Sequence, residues 1–466
     1  MRNFFTSSLV ATIITGLLSL PALADFGLGM NYYEKKDFEK AFKAFYEAAQ
    51  YGDHDAQNNV GVMYYRGEHV TQNIPTAYAW MALAAQATAN TTESDSTPAP
   101  YQKVYSRMSD ADKKLADAAY KELLSQYSDA AINQKLTPIY TGTNMGTQHQ
   151  RPLKMTPPKY PSSMLRQGKI GFVDVIYTID KYGLTRDHVV THSSSPEFTQ
   201  ETMKVLRRFQ FEPTTVNQVA VDVNGFKRRF TFEMSTSTYN TKKLEKIVEK
   251  RRMTAEQGTG SDKLGFAYFL ESIPSFVKDY ELKDNPNEWY EKAATQGSGA
   301  ASYFLGRNIL YGNMCAQDNN QSMGWLLKAA RAGIADAQYM LAIESFSGVR
   351  FEKNQDKGFY WLARAANSSQ IAQLRYAWIL ATHPDASRRN AELASKQLAD
   401  IDEHYLDQQS YLKTQAAVAA ENGDFKKAIL WQKKALQDAA ELELPLTLLE
   451  QQLTRYTNKQ PWREEI

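Results

Sequence analysis

The histidines, the serine run and the single cysteine are the residues best suited to metal, nucleophilic or redox chemistry, and their spacing decides whether they could act together. His188 and His192 stand four apart in a strand-like stretch. At about 3.3 Å per residue they share one face but lie roughly 13 Å apart, too far to hold one metal. No H-E-x-x-H occurs among the seven histidines. Ser193-Ser194-Ser195 could supply a nucleophile, yet no G-x-S-x-G elbow is present. A serine run ahead of Pro196 reads as a helix cap. Cys315 follows Gly312-Asn313-Met314 in a turn-like run and reads as a packed small residue. As the only cysteine it allows no internal disulfide. Glu464-Glu465 reads as an exposed pair near the end of the sequence, and neither a P-loop nor G-x-G-x-x-G is found. The expectation is therefore no catalytic residue, no cofactor, no metal site and no enzyme.

Charge points the same way. The 54 basic and 52 acidic side chains leave +2, with no global field to steer nucleic acid. One short stretch is basic: Lys242, Lys243, Lys246, Lys250, Arg251 and Arg252, interleaved with Glu245 and Glu249. Leu244, Ile247 and Val248 form a stripe at helical spacing. An amphipathic helix is expected, docking on a neighbouring element, with contact to an anionic membrane surface compatible but not required.

The elements that would position any site begin after a leader. Arg2, an apolar run from Leu9 to Leu20 and Pro21-Ala22-Leu23-Ala24 fit a secretory signal peptide cleaved after Ala24, with Ala22 and Ala24 as the small residues of the site. The competing reading is a retained anchor, because no charge interrupts Phe4 to Ala24, close to the ~20 residues that span a bilayer. Seven Ser, Thr and Gly residues dilute that span, which favours cleavage and a periplasmic chain from Asp25.

A 36-residue period organises the chain beyond the leader. Ala293-Ala294, Ala329-Ala330 and Ala365-Ala366 are spaced by it, and Trp289, Trp325 and Trp361 each stand four residues before a pair. Ala48-Ala49 and Ala84-Ala85 repeat it near the start, with Trp80 four before the second pair. Trp and Ala at i and i+4 share a helical face, alanine admits a close neighbour, and the glycine after a pair can take a left-handed cap. A helix pair this small cannot bury its own apolar face, so units must stack into a curved α-solenoid. Packing is thus the expected role of Trp80, Ala84, Trp289, Ala293, Trp325, Ala329, Trp361 and Ala365. These residues, with Asp55-Ala56-Gln57 and Asp336-Ala337-Gln338, resemble the Sel-like repeat, a relative of the tetratricopeptide repeat. Asn422 to Ala428, with Trp431 and Ala435, looks more like a tetratricopeptide pair and echoes Lys36 to Ala41. The resemblance implies protein–protein scaffolding in the solenoid groove.

Between the arrays the period becomes two. Val173, Val175, Tyr177 and Ile179 mark a strand, Asp180 to Gly183 a turn, and Leu184 to His192 a returning strand. A helix is expected from about Ser195. Val219, Val221 and Val223 then lead to Asn224-Gly225, a hairpin-turn signal, with Phe230, Phe232 and Met234 on the return. Tyr160-Pro161, Gly171-x-Val173-x-Val175, Ile179-Asp180, Gly183, Phe209-x-Phe211-x-Pro213 and Phe230-Thr231-Phe232 resemble the C-terminal domain of TonB-type proteins. In that family the domain pairs a strand edge with a segment of an outer-membrane partner, so the 226–234 strand, with Phe226, Arg228, Phe230 and Phe232, is the candidate edge.

The combined expectation is mainly α: an α-solenoid of Sel-like and tetratricopeptide-like helix pairs interrupted by a small α+β domain. The expected division is signal peptide 1–24, repeats 25–135, linker 136–158, TonB C-terminal-like domain 159–236, connecting helix 237–261 and repeats 262–466. Its expected role is a non-enzymatic adaptor binding protein partners of the cell envelope, an outer-membrane protein being one candidate, and no nucleic acid. The alternative is a membrane-anchored TonB-like transducer that keeps residues 4–24 as a helix.

Overall fold

The computed structural model describes residues 26–87, 99–141, 151–216, 218–233, 241–273, 280–399, 401 and 408–464. The leader, with Ala22 and Ala24, lies outside the described residues, as do Met234 and Glu465. Helices α1 (Phe26–Glu34), α2 (Phe38–Gln50), α3 (His54–Arg66), α4 (Ile74–Ala84), α5 (Pro100–Ser106), α6 (Asp110–Tyr127) and α7 (Asp129–Leu136) make the first array. The β-domain runs β1 (Pro152–Lys154), α8 (Ser162–Arg166), β2 (Gly171–Ile179), β3 (Thr185–Ser193), α9 (Pro196–Leu206), β4 (Gln210–Phe211), β5 (Thr214–Val216), β6 (Val219–Val221) and β7 (Val223–Phe232). After α10 (Thr241–Gln257) and α11 (Gly260–Ser272), the second array continues through α12 (Pro286–Thr295), α13 (Gly299–Tyr311), α14 (Asn319–Arg331), α15 (Ala335–Ser347), α16 (Gln355–Ala365) and α17 (Gln370–Thr382). It then runs through α18 (Ala391–Ala399), α19 (Gln408–Glu421), α20 (Phe425–Glu441) and α21 (Thr447–Thr457). The molecule is mainly α, built of repeated helix pairs with a small α+β insertion.

Each helical turn of the chain is set by side chains that recur. Gly67, Gly312 and Gly348 take left-handed φ of 70°, 68° and 67° and end α3, α13 and α15. Six residues beyond each stands a capping side chain, Asn73, Asp318 or Asn354, at φ of −146°, −149° and −149°. Each accepts a backbone N–H three residues on, satisfying one orphan donor of the next helix. The Asp-Ala-Gln segments do a second task. Buried Gln57 and Gln338 donate their side-chain amides to the Ala49 and Ala330 carbonyls at 3.1 and 2.9 Å, tying each helix to the end of the one before. Asp37 and Asp424 cap α2 and α20 in nearly the same conformation, each following a residue at positive φ.

The alanine pairs sit where helices cross: Ala293, Ala329 and Ala365 have no exposed surface. Trp80, Trp289, Trp325 and Trp361 are buried above them. Trp80 stacks on Tyr127 at 5.5 Å and Trp289 meets Phe266 edge-on at 4.8 Å. Trp325 reaches across arrays, donating its indole N–H to the Leu136 carbonyl at 2.9 Å. Lys357–Glu47 at 2.7 Å and Arg331–Asp53 at 3.1 Å continue that seam, so the two arrays lie side by side.

The three-stranded sheet has the antiparallel order β3-β2-β7. Val173, Val175, Tyr177 and Ile179 pack with Phe198, Leu206, Phe209 and Phe211 on one face. The opposite face is also buried, with Asp174 paired to Arg229 at 2.5 Å and Thr178 bonded to Asn224 at 3.1 Å. Asn224-Gly225 is not the hairpin turn its sequence suggests. The tight hairpin joins β5 to β6, with Gln218 at φ 68°, and Asn224-Gly225 lies within β7 as a register shift opposite Tyr177 and Ile179. Gly225 still uses the positive φ, 70°, that makes the dipeptide a turn former. Long pairing with β2 outweighs the local turn preference.

Ala329→Arg is expected to lower stability by at least about 1–3 kcal/mol through overpacking, before any cost of burying charge. An unchanged thermal melt would contradict the packing described for the second array.

Candidate partner-binding surfaces

The β7 strand lies at one edge of the sheet. Of its four candidate residues, Phe230 and Phe232 are buried in the β-domain core, and Phe226 packs on Tyr177 with ring centroids 5.2 Å apart. The Arg228 guanidinium lies 5.6 Å from the Phe230 ring. Their side chains are therefore committed to packing, and what the edge offers is backbone. Its phase is set by Ser194, which donates its N–H to the Phe172 carbonyl at 3.0 Å while its hydroxyl accepts the Phe172 N–H at 2.5 Å. Phe172 thus bonds towards β3, and its neighbours Gly171 and Val173 bond towards Phe232 and Phe230 on β7. The intervening Arg229 and Thr231 turn their backbone groups to the outer side of β7. Beside that end of the strand is a cleft of about 270 Å³ lined by Ile170, Phe172, Ser194 and Thr231.

The first part of β7 does not face open space. Tyr311 on α13 donates its hydroxyl to the Asn224 carbonyl at 2.7 Å. A side chain at Gly225 would meet Arg307, Met340 and Tyr303, all from α13 and α15. Arg207, just past the end of α9, contacts both carboxylate oxygens of Asp438 on α20, at 2.8 and 2.9 Å. Arg186 on β3 donates to the Tyr339 hydroxyl at 3.1 Å. The repeats thus grip the β-domain, which covers the solenoid face along α13 and α15.

The basic stretch forms α10, with Leu244, Val248 and Ala255 buried in a cluster with Phe266 and Leu270 of α11. Ile247, expected in the apolar stripe, is exposed, as are Lys242, Lys246 and Lys250. The helix therefore docks on the next repeat by a narrower stripe than its sequence suggests.

The chemistry-bearing residues are dispersed. Ser195 caps α9 by accepting the Phe198 N–H, and Ser194 bonds β2. His188 is buried beneath Tyr177, 6.3 Å between centroids, while the His192 side chain lies outside the described part. Cys315 is buried, and burial pushes its thiol up to about 12. Glu464 departs from the exposed position expected of it: it pairs with Lys181 at 2.9 Å against the β-hairpin. Among the described residues no group of three or more His, Cys, Asp or Glu could hold a metal ion. No described helix is long and apolar enough to cross a membrane.

Likeness to known families maps directly onto this arrangement. The Gram-negative bacterial TonB protein C-terminal family matches residues 156–234, and the Sel1 repeat matches 54–88, 287–298, 299–334 and 335–369. The chain carries Sel1 repeats and a TonB C-terminal domain. Similar solved structures include a Sel1 repeat protein from Oxalobacter formigenes, 14% identical, covering 80% of this chain and 97% of that one, TM-score 0.29. A protective antigen of uropathogenic Escherichia coli with an SLR fold is 17% identical over 93% of this chain and 83% of its own, TM-score 0.31. The TonB C-terminal domain of Pseudomonas aeruginosa is 28% identical over 21% of this chain and 97% of its own, TM-score 0.18. No curated relative matches the chain. The TonB C-terminal match spans β2, β3, α9 and β7, so the edge strand belongs to it, and the Sel1 matches include the Trp80, Trp289, Trp325 and Trp361 helices.

Thr231→Pro removes an outward-facing N–H, a position where an edge strand tolerates proline. It is expected to change stability by less than about 1 kcal/mol, within the range of surface substitutions away from special features. Phe230→Pro, which breaks the ladder to β2, is expected to unfold the β-domain. Equal effects of the two on a thermal melt would contradict the assigned phase of β7.

Proposed function

We propose that the protein is a periplasmic adaptor of the Gram-negative envelope, binding a protein partner by strand addition to the outer edge of β7. The observation that carries this reading is the division of labour within that strand. Its side chains pack the core and its first residues rest on the Sel1 repeats, while the backbone of its second half turns outward. An added strand would gain main-chain hydrogen bonds there, with the adjoining cleft available to a side chain. The repeats then act as the scaffold that holds the domain and fixes the direction of the edge. The family of the β-domain supports an envelope setting, with an outer-membrane protein as the first partner to seek. The reading includes removal of residues 1–24 after Ala24, assigns the chain no reaction and requires no cofactor.

Two measurements test it. Intact mass of the native protein, after separating soluble periplasm from membranes, should show a soluble species beginning at Asp25. A membrane-bound species retaining residues 1–24 would replace the adaptor with an anchored transducer. A photo-crosslinking amino acid at Glu233, beside the outer edge, should then capture an envelope protein in cells, and the adduct should disappear in Thr231→Pro. A Glu233 adduct that persists in Thr231→Pro would rule out strand addition.

A further inference from the structure

The turn between β2 and β3 meets the repeats at a charged cluster that lies away from the strand edge and includes the Arg186–Tyr339 contact. Four acids, Asp180, Asp187, Asp222 and Glu464, face four bases, Lys181, Arg186, Arg375 and Lys413, around a cavity of about 50 Å³ that Leu374 and Trp378 also line. The groups come from separate elements: the hairpin, the β6–β7 junction, α17, α19 and the segment after α21. Asp222 pairs with Arg186 at 2.6 Å and with Arg375 at 3.8 Å, and it accepts the Lys181 N–H at 2.8 Å. Asp187 pairs with Arg186 and accepts from the Tyr339 hydroxyl, and Glu464 pairs with Lys181. Asp180 differs. Among the described residues it has no cation at ion-pair distance, and one of its oxygens accepts the backbone N–H groups of Tyr182 and Leu184, both at 2.9 Å. It is a nearly buried acid that shapes the turn and sits where the β-domain rests on the solenoid.

We propose that this cluster is a proton-operated clasp: the hairpin stays seated on α17 and α19 when Asp180 carries a proton, and it loosens when Asp180 is ionised. Burial and the neighbouring Asp222 carboxylate push the Asp180 carboxyl up to about 6, against the pull of Lys413 and Arg186. An acid raised in the seated state favours that state fully below its ordinary value of 3.8, and the effect is lost as pH rises through about 6. Asp222 and Glu464 act oppositely. Burial opposes their charge, but Arg186 and Arg375 hold Asp222 down, and Lys181 and Arg375 hold Glu464 down. Their contribution is lost only as pH falls below the ordinary carboxylate range. Tyr182 and Tyr339 are pushed up by burial and stay neutral. Behind Asp222, Glu344 is also raised by burial but is paired with Arg350 at 2.6 Å. Between pH 7.5 and 5, seating should therefore strengthen by about ten-fold through Asp180.

Hydrogen exchange on the full chain at both pH values, corrected for the intrinsic rate, tests the clasp. Amides of residues 180–187 should be about ten-fold better protected at pH 5 than at pH 7.5. Asp180→Asn keeps the acceptor for Tyr182 and Leu184 and cannot ionise. It should show the low-pH protection at both values, which separates Asp180 from His54 and His383 elsewhere in the chain. Lys413→Ala removes a cation that favours ionised Asp180, so it should move the midpoint of the transition to higher pH, and it serves if the asparagine variant does not fold. Equal protection of the native hairpin at the two pH values, or a pH difference that survives in Asp180→Asn, would overturn the proposal.

Discussion

Short helix pairs with alanine at their crossing points cannot enclose a core, and this constraint shapes the rest of the molecule. With Ala293, Ala329 and Ala365 fully buried, adjacent helices lie close, and the remaining apolar surface must be covered by something outside the pair. Along the chain the cover is the next pair, positioned by the repeated glycine-to-cap loops and the Gln57 and Gln338 side-chain bonds. At the sides it is supplied by more distant parts. Leu136 fills the space that Gly324 leaves open on α14, and the carbonyl of the same residue takes the Trp325 indole N–H. A solenoid that stopped at its own pairs would leave both groups uncovered.

The β-domain carries the complementary constraint. A three-stranded sheet normally spares one face for solvent, but β2 is buried on both. One face is apolar and takes α9. The other carries Asp174, Thr178 and Asn224, and such groups enter an interior only when paired. Arg229 answers Asp174, Asn224 answers Thr178, and Tyr311 of the repeats answers the Asn224 carbonyl. The sheet is thus polar where it meets the solenoid and apolar where it meets its own helix. The apolar residues of the sheet still run on into those of the repeats, with Tyr177 and Phe230 in one buried cluster with Tyr311 and Met340, and the outer half of β7 is left as the edge that faces a partner.

The helical part was largely legible in the sequence, because a 36-residue period repeats its own evidence. The Trp and Ala positions, the Ser195 cap and the Asp-Ala-Gln segments all follow from spacing. Asn73, Asp318 and Asn354 were equally periodic, each six residues past a glycine, and pass unnoticed when only apolar and glycine positions are compared. Asn224-Gly225 misleads because its local conformation is right and its context is wrong: the φ is positive, yet pairing to β2 continues through it. Glu464 looked like a solvated pair with Glu465, since nothing local marks Lys181, far away in the chain, as its partner. The seat of the β-domain on α13 and α15 is of the same kind. It depends on Tyr311, Arg307 and Met340, whose spacing does not reveal that they meet a strand.

Whether the repeats and the β-domain form one mechanical body is the claim on which the adaptor reading rests. Native-state hydrogen exchange at increasing denaturant, resolved for β2 amides and for those of α13 and α15, tests it directly. The account predicts one shared opening free energy and denaturant slope for these elements, as expected of a single cooperative unit. Exchange of β2 through a separate, lower-energy opening, with α13 and α15 still protected, would contradict it.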